Sequence, residues 1–504
     1  MNACTNRSAD GFLRRAVSGG LMLAVAGCAL GPDFVRPEPP AVAGYITPTP
    51  AAAAPATGEA AQRLALGQTV SAQWWTLFRS SRLDDVLTQA LAGNQTLGAA
   101  RATLAEAQEA VLQARGGLFP QLDASAAAQH QRTGAAGANR LATGTTFNLY
   151  SVGANVSYAV DVFGGTRRRV EQQEALAENQ NYQLAAAYLA LTGNAVAQAI
   201  NIASTRLQLS ATLDIIADDE KNLHLVQQKF EAGKAARSDV LAAESQLAND
   251  RTLPPPLKQQ LSAARHALSI LVGKFPVEWS PPDFDLSEFT LPAELPVSLP
   301  SELVRQRPDI LAAEAQLHAS SAAIGVATSE LYPSITLSAS LGVESTSTAT
   351  LFNGSNRASS LIGGLTAPLF HGGALAAQKQ GAIDAFQASA ATYRQTVLQA
   401  FAQVADTLRA LEHDAELLAA VREALHASQA SLELQRLSYA AGKSSLLQLL
   451  DAERAYQQAR LGYTRAQAQR YQDSAQLLVA MGGGWWNDQP VNLRPTPTET
   501  SGVR

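Results

Sequence analysis

One short turn sequence occurs twice in this chain, and the two copies restrict the folds that the chain can adopt. Residues 230–244 and residues 439–453 each begin with an aromatic residue, and a Gly-Lys pair follows three positions later. Gly233 and Gly442 lie 209 positions apart, between long stretches rich in Ala, Leu and Gln. Because glycine readily adopts the left-handed conformation that ends a helix, each copy predicts a tight turn between two helices. This recurrence predicts a tandem duplication of a unit of roughly two hundred residues.

The N-terminal residues resemble a secretory signal followed by a lipid attachment site. Arginines precede a short apolar stretch, residues 16–26, which is too short to span a bilayer. The small residues 25–27 then precede Cys28, as in the lipobox of bacterial lipoproteins. We expect Cys28 to carry a covalent lipid, and the absence of Asp at the second position after it implies sorting to the outer membrane. Cys4 leaves with the signal, so we expect neither a disulfide nor a catalytic thiol.

Composition and spacing divide the chain into six segments. Stretches rich in proline follow Cys28 and separate the two repeats, and such stretches are typical of extended linkers. The predicted segments are a signal peptide (1–27), a lipid anchor and linker (28–66), a first repeat (67–273), an inter-repeat linker (274–300), a second repeat (301–486) and a flexible tail (487–504).

Each repeat contains two segments in which apolar and polar or small residues alternate. In the first repeat they cover residues 121–129 and 152–162, and in the second repeat residues 334–343 and 361–369. Alternation over about ten residues is the pattern of a transmembrane β-strand that faces lipid on one side and a lumen on the other. A hairpin of a soluble β-sandwich would have a similar pattern, but four strands in two matched hairpins favour the membrane.

Four strands cannot close a barrel, and an open sheet edge is not tolerated in lipid. Closure therefore requires further copies of the chain. Two copies would supply 8 strands and three copies 12, and the pattern alone does not choose between them.

The remaining sequence predicts long helices. A first helical stretch covers residues 82–115, and residues 165–230 would extend for roughly 100 Å as one helix. In the second repeat, apolar residues recur at a spacing near 3.5, which predicts a coiled-coil seam: Tyr393, Val397, Phe401, Val404, Leu408 and Leu411. An exported, lipid-anchored chain with short lipid-spanning strands and long helices is interpreted as a channel-tunnel that crosses the outer membrane and the periplasm.

Other kinds of function are not supported by the sequence. The net charge of −5 gives no basic surface for nucleic acid, and the seven histidines have no zinc-binding spacing. Residues 441–444 resemble the end of a phosphate-binding loop, but Leu437 stands where that motif requires glycine. We expect no enzyme activity, no metal site and no cofactor apart from the lipid. Arg167, Arg168 and Arg169 are interpreted as a solvated or headgroup-facing cluster.

Several motifs, in this order along the chain, resemble the outer-membrane efflux proteins of the TolC superfamily, in particular the lipoprotein branch typified by NodT and OprM. They are Cys28 to Pro37, Trp74-Trp75, Asp161-Val-Phe-Gly164, Arg307-Pro308-Asp309-Ile310, Leu331-Tyr332-Pro333 and Gly482-Gly-Gly-Trp485. The resemblance implies a homotrimer with a 12-stranded β-barrel, four strands from each protomer, continuous with a coiled-coil barrel of 12 helices. It also implies the exit duct of a tripartite pump for drugs or other small toxic compounds, joined to a periplasmic adaptor and an inner-membrane transporter of the RND type.

The same resemblance implies roles for the repeated turns. Asp239 and Asp451 match the aspartates of a periplasmic gate, and Tyr439 matches a tyrosine that tethers the gate closed. Gln448 replaces one aspartate of that pattern and Ser444 replaces its arginine, so the tether must differ, and Lys234, Arg237 or Lys443 could substitute. The docking turns for the adaptor would contain Gly233, Lys234, Gly442 and Lys443.

Alternatives remain at this point. Asp239 and Asp451 would also suit solvated first turns of helices, where the helix dipole favours acids. The chain as a whole would alternatively serve as the outer-membrane part of a type I protein-secretion system, or as a structural coiled-coil lipoprotein without a pore.

Overall fold

The computed structural model describes residues 29–42, 44–46, 62–132 and 146–486. The predicted signal peptide, Cys28 and the predicted tail 487–504 lie outside the described residues. The described residues form two compact units: the first contains those up to Pro37, Ala105–Asn179 and Ala313–Tyr393, and the second contains the others. Within the described ranges, every helix is either too short or too polar to cross a bilayer.

Helices account for most of the described chain, and the two longest contain 67 residues each. The helices are α1 (Ser81–Gly93), α2 (Gln95–Gly116), α3 (Gly165–Glu231), α4 (Arg237–Asp250), α5 (Pro254–Val272), α6 (Pro300–Gln306), α7 (Pro308–Ser329), α8 (Ala374–Ala440) and α9 (Leu446–Ala480). The strands are β1 (Arg63–Leu66), β2 (Gln121–Arg132), β3 (Thr146–Val160), β4 (Glu294–Val297), β5 (Ser334–Ser345) and β6 (Arg357–Thr366).

The first predicted helical stretch, residues 82–115, is divided in two at Asn94. Asn94 has an extended backbone, and its Oδ1 accepts a hydrogen bond from Leu97 N at 2.9 Å. Its Nδ2 donates to the carbonyl of Leu271 at 2.9 Å. The side chain therefore caps α2 and joins this corner to α5, which the helical periodicity of the segment did not indicate.

The four alternating segments form one antiparallel sheet in the first unit, in the order β2-β3-β5-β6. Directly paired residues project from the same face, and the register places one apolar row across all four strands: Leu122, Val156, Ala339 and Leu361. The adjacent row is polar and projects from the opposite face: Asp123, Asn155, Ser340 and Ser360. The predicted alternation is confirmed, and all four apolar sets lie on one face of the sheet.

The two predicted linkers each contain a short strand. β1 lies in the segment 28–66 and β4 in the segment 274–300, and they pair in parallel with Leu64 opposite Leu295. The proline content of these segments did not indicate this pairing, because it joins residues far apart in the chain.

The second unit contains a core built around buried aromatic and aliphatic side chains, among them Trp74, Phe78 and Ile200. Gly482, Gly483 and Gly484 lie against this core with positive φ angles. A Cβ at Gly484 would lie 2.1 Å from the carbonyl oxygen of Val70, so only glycine fits there. This contact explains why glycine occupies position 484 in the Gly-Gly-Gly-Trp motif.

The seam predicted on α8 is the face that the helix buries. Val404 has no exposed surface, and Tyr393, Val397 and Leu408 are also buried. Also in the second unit, the guanidinium of Arg307 donates hydrogen bonds to the carboxylate of Asp309, to the carbonyl of Ala480 and to the side chain of Gln403, at 2.7 to 3.0 Å. The Arg-Pro-Asp motif thus connects the start of α7 to α8 and α9.

Candidate functional site

The two repeated turns have the same backbone geometry. Gly233 follows α3 with φ +73°, and Gly442 follows α8 with φ +74°. The amide of Lys234 donates to the carbonyl of Lys229 at 2.7 Å, and that of Lys443 donates to Ser438 at 2.8 Å. Each turn is therefore a Schellman motif in which a left-handed glycine satisfies the last carbonyls of a helix.

The helices that leave the two turns also begin in the same way. Asp239 Oδ2 accepts a hydrogen bond from Ala236 N at 3.1 Å, and Gln448 Oε1 accepts one from Ser445 N at 2.9 Å. Both side chains stand at the third helical position and bond back to the residue that precedes the helix. This contact requires an acceptor oxygen but no charge, which explains how glutamine can replace aspartate at 448.

The predicted site residues differ in their surroundings. Asp451 is well exposed, and one of its oxygens lies 3.3 Å from Nη1 of Arg454. Tyr439 is buried, and burial together with the charge of Asp239 raises the pKa of its hydroxyl. Lys234 and Lys443 are exposed, and their side chains form no hydrogen bond or ion pair with the described residues. The structure therefore brings Tyr439 close to Asp239 and leaves both turn lysines open to solvent.

A small apolar cluster lies beneath the turns. It takes side chains from α3, α4, α8 and α9: Val226, Val240, Ala243, Leu432, Tyr439, Leu446, Leu449, Leu450 and Ala452. Tyr439 contributes its ring to this cluster. The positions of the two turns are thus coupled through packed side chains from four helices.

A group of buried acids, which the sequence analysis missed, lies between the same helices. Asp219 of α3 is 4% exposed and Asp250 of α4 is 6% exposed. Asp250 accepts hydrogen bonds from the amides of Gln246 and Gln457, whereas Oδ2 of Asp219 has no donor among the described residues. Burial, and then the neighbouring Asp250, raise the pKa of Asp219 to about 8. At neutral pH Asp219 is protonated and can donate to the carboxylate of Asp250.

Glu453 of α9 belongs to the same group. It is 3% exposed, and it accepts a hydrogen bond from Nδ2 of Asn222. Burial raises its pKa to about 7, although Arg436, 3.7 Å away, opposes the shift. Arg436 also pairs with Asp218 at 3.0 Å. Burial by itself would raise the pKa of Asp218, but Lys221 and Arg436 outweigh it and lower that pKa. Within the described ranges, no group of three or more His, Cys, Asp or Glu side chains is arranged to hold a metal ion.

In the first unit, the residues that follow Cys28 form a strap. Leu30 N donates to the carbonyl of Phe163 at 3.1 Å, and the ring of Phe34 stacks on His318 at 4.4 Å. Arg168 is 6% exposed, and it bonds the carbonyl of Leu30 and the carboxylate of Asp33 at 3.1 and 2.7 Å. Its acceptors come from the strap and from Glu171, which lies 2.7 Å away, so the interpretation of Arg168 as a solvated residue is wrong.

The buried acids predict a pH-dependent stability. Asp219 has a higher pKa in the folded chain than in the unfolded chain, so its contribution is present below about pH 4 and is lost as the pH rises through about 8. We expect Asp219→Asn to raise the thermal unfolding midpoint in detergent relative to the original chain, by more at pH 9 than at pH 6. Asp406→Asn, at an exposed position of α8, is the matched control and should leave the pH dependence unchanged. An equal shift of the midpoint at both pH values would contradict the assignment.

Comparisons with known proteins agree with this architecture. A family model described as outer membrane efflux protein matches the chain twice, over residues 86–274 and 299–483. The pyoverdine export outer membrane protein OpmQ of Pseudomonas aeruginosa is 30% identical over 83% of this chain and 88% of its own length. The toluene efflux pump outer membrane protein TtgF of Pseudomonas putida is 30% identical over 94% of this chain and 98% of its own length. Nodulation protein T of Rhizobium leguminosarum is 28% identical over 96% of both chains.

The fold is similar to that of solved channels. The outer-membrane channel OprN has a TM-score of 0.82 and 28% sequence identity, covering 91% of this chain and 100% of that chain. These matches confirm the resemblance that the sequence motifs indicated. The chain belongs to the outer membrane efflux protein family, of the TolC and NodT type, whose members are efflux channels of the outer membrane and not enzymes.

Proposed function

We propose that this chain assembles as a homotrimer and forms the passive exit duct of a tripartite efflux pump, gated at its repeated turns. The observation that carries the proposal is the register of the four-stranded sheet. It aligns an apolar row, which includes Leu122 and Leu361, across every strand, and it aligns small and polar residues on the opposite face. A sheet of this kind suits lipid on one side and water on the other.

Closure of the sheet supports the oligomer. β2 and β6 are the two edges, and backbone groups at an edge have no partner in hydrocarbon. Further copies of the chain would satisfy these groups by pairing β6 of one protomer with β2 of the next. Three copies give the 12-stranded barrel that the family resemblance implies.

The repeated turns are proposed as the gate and as the contact with a periplasmic adaptor and an inner-membrane RND-type transporter. A Cβ built at Gly233 or Gly442 would meet nothing within 4 Å, so a partner can approach the backbone of both turns closely. Lys234 and Lys443 would make this contact more polar. On the axis of a trimer, Asp239 and Asp451 would concentrate negative potential and select cations, with Gln448 contributing no charge.

The substrate would be chosen by the transporter rather than by the duct. The relatives named for pyoverdine export and for toluene efflux are both 30% identical to this chain, although their names give two different substrates. We therefore propose small toxic compounds as a class, without assigning one.

A covalent lipid on Cys28 is proposed as a second attachment to the membrane. The strap that follows it is fixed to Phe163, which comes shortly after β3, the strand ending at Val160. A single lipid chain binds a membrane only modestly, so it would act together with the barrel. Intact mass spectrometry should detect the lipid on the purified chain and should not detect it on Cys28→Ser; equal masses apart from the substitution would contradict it.

The proposed duct predicts single-channel currents in a planar bilayer. We expect small, cation-selective openings that divalent cations block from the side of the repeated turns, because an acidic constriction attracts cations. Large currents without block would retain the duct but contradict the acidic gate. Absence of current from an inserted oligomer would contradict the duct and favour a structural coiled-coil lipoprotein.

The gate predicts a specific effect at Asp451. Asp451→Ala should raise the single-channel conductance and weaken the divalent block, because one carboxylate is removed from each protomer at the constriction. Asp406→Ala removes an exposed acid on α8 outside the turns and serves as the control. Unchanged conductance and cation preference in Asp451→Ala would exclude this residue from the gate.

A further inference from the structure

We propose that Lys229 is the positioning residue that holds the second turn in place, and this inference rests on the gate proposed above. Lys229 lies in the last turn of α3, and Tyr439 lies one residue before the end of α8. The ammonium group of Lys229 donates a hydrogen bond to the carbonyl oxygen of Tyr439 at 3.1 Å. The same ammonium lies 3.7 Å from the centroid of the Tyr439 ring.

These two contacts suit the end of a helix. The carbonyl of Tyr439 also accepts a hydrogen bond from the amide of Gly442 at 3.1 Å, so Lys229 binds a carbonyl that takes part in the turn, and a cation near the end of a helix is favoured by the helix dipole. The ring face adds attraction for the ammonium, because its π electrons carry partial negative charge. Lys229 therefore binds both the backbone and the side chain of the residue from which the second turn departs.

The residues expected to supply a tether do not do so within the protomer. The side chains of Lys234, Arg237 and Lys443 form no hydrogen bond or ion pair with any described residue, and all three are exposed. The hydroxyl of Tyr439 likewise has no hydrogen-bond partner among the described residues. The structure thus holds Tyr439 by its carbonyl and its ring, and not by its hydroxyl.

The contact is present at one turn only. Lys229 corresponds in the repeat to Ser438, and Tyr439 corresponds to Phe230, which is 39% exposed whereas Tyr439 is 8% exposed. The first repeat therefore supplies a cation that holds the second turn, and the second repeat supplies no equivalent. Movement of the end of α8 away from α3 has to break the hydrogen bond and the ring contact together.

The test compares variants of the full chain in planar bilayers. Lys229→Met keeps the apolar stem but loses both contacts, and it should raise the open fraction by about tenfold, the effect of losing a hydrogen bond to a charged group. Lys229→Arg keeps the cation and should behave like the original chain. Lys258→Met is the matched control, because it removes an exposed lysine of α5, outside both turns, without removing a side-chain contact.

Variants of Tyr439 separate this inference from a tether through the hydroxyl. Tyr439→Phe keeps the ring and the carbonyl, and it should leave the open fraction unchanged. Tyr439→Leu loses the ring and should raise the open fraction by less than Lys229→Met does. A raised open fraction in Tyr439→Phe with no change in Lys229→Met would overturn the inference.

A second measurement does not depend on a pore. Spin labels on Glu231→Cys and Ala441→Cys, in a chain that also carries Cys4→Ser and Cys28→Ser and with labelled protomers diluted among unlabelled ones, report the distance between the two turns. Lys229→Met should shift this distance to larger values, and Lys229→Arg should not. If the original chain carries no current, the proposed duct is contradicted, but the distance still tests the tether. An unchanged distance in Lys229→Met would overturn the tether even where current is seen.

Discussion

The need to pair every backbone N–H and C=O group in lipid is the constraint on which the rest of this structure depends. Strands β3 and β5 come from different repeats, and their pairing joins two hairpins into one continuous sheet. One protomer therefore presents two free edges, β2 and β6, instead of four. In the proposed oligomer, each copy of the chain would add four strands, and each contact between copies would be a single strand pair.

The duplication also gives both helical regions the same turn. Both long helices end in the same backbone geometry, a Schellman turn whose glycine has a φ of +73° or +74°. The glycine and an acceptor oxygen at the third helical position occur in both copies, where they end one helix and cap the start of the next. Tyr439, which replaces Phe230 in the second copy, contacts Lys229 of another helix.

This distinction also separates what the sequence could predict from what it could not. The alternating strands, the seam on α8 and the helix turns were predictable, because each depends on residues close together in the chain. The β1–β4 pairing and the burial of Arg168 were not predictable, since their partners lie more than a hundred positions away. The Asp219–Asp250 pair was missed for a different reason: each acid resembles an ordinary polar residue of a solvated helix until two helices enclose it.

The departures from the family pattern at Gln448 and Ser444 acquire a physical meaning from these contacts. Gln448 retains the acceptor that the start of α9 requires and loses only the charge, so the charge at this position can vary without disturbing the turn. Ser444 lacks the cation that the pattern places after the turn, but Lys229 supplies a cation to the same turn from the preceding repeat. Backbone geometry and electrostatics are therefore specified by different residues at this site. A change of Gln448 to aspartate, or of Lys229 to an uncharged residue, would therefore alter the charge near the second turn and leave both glycines and both acceptor oxygens intact.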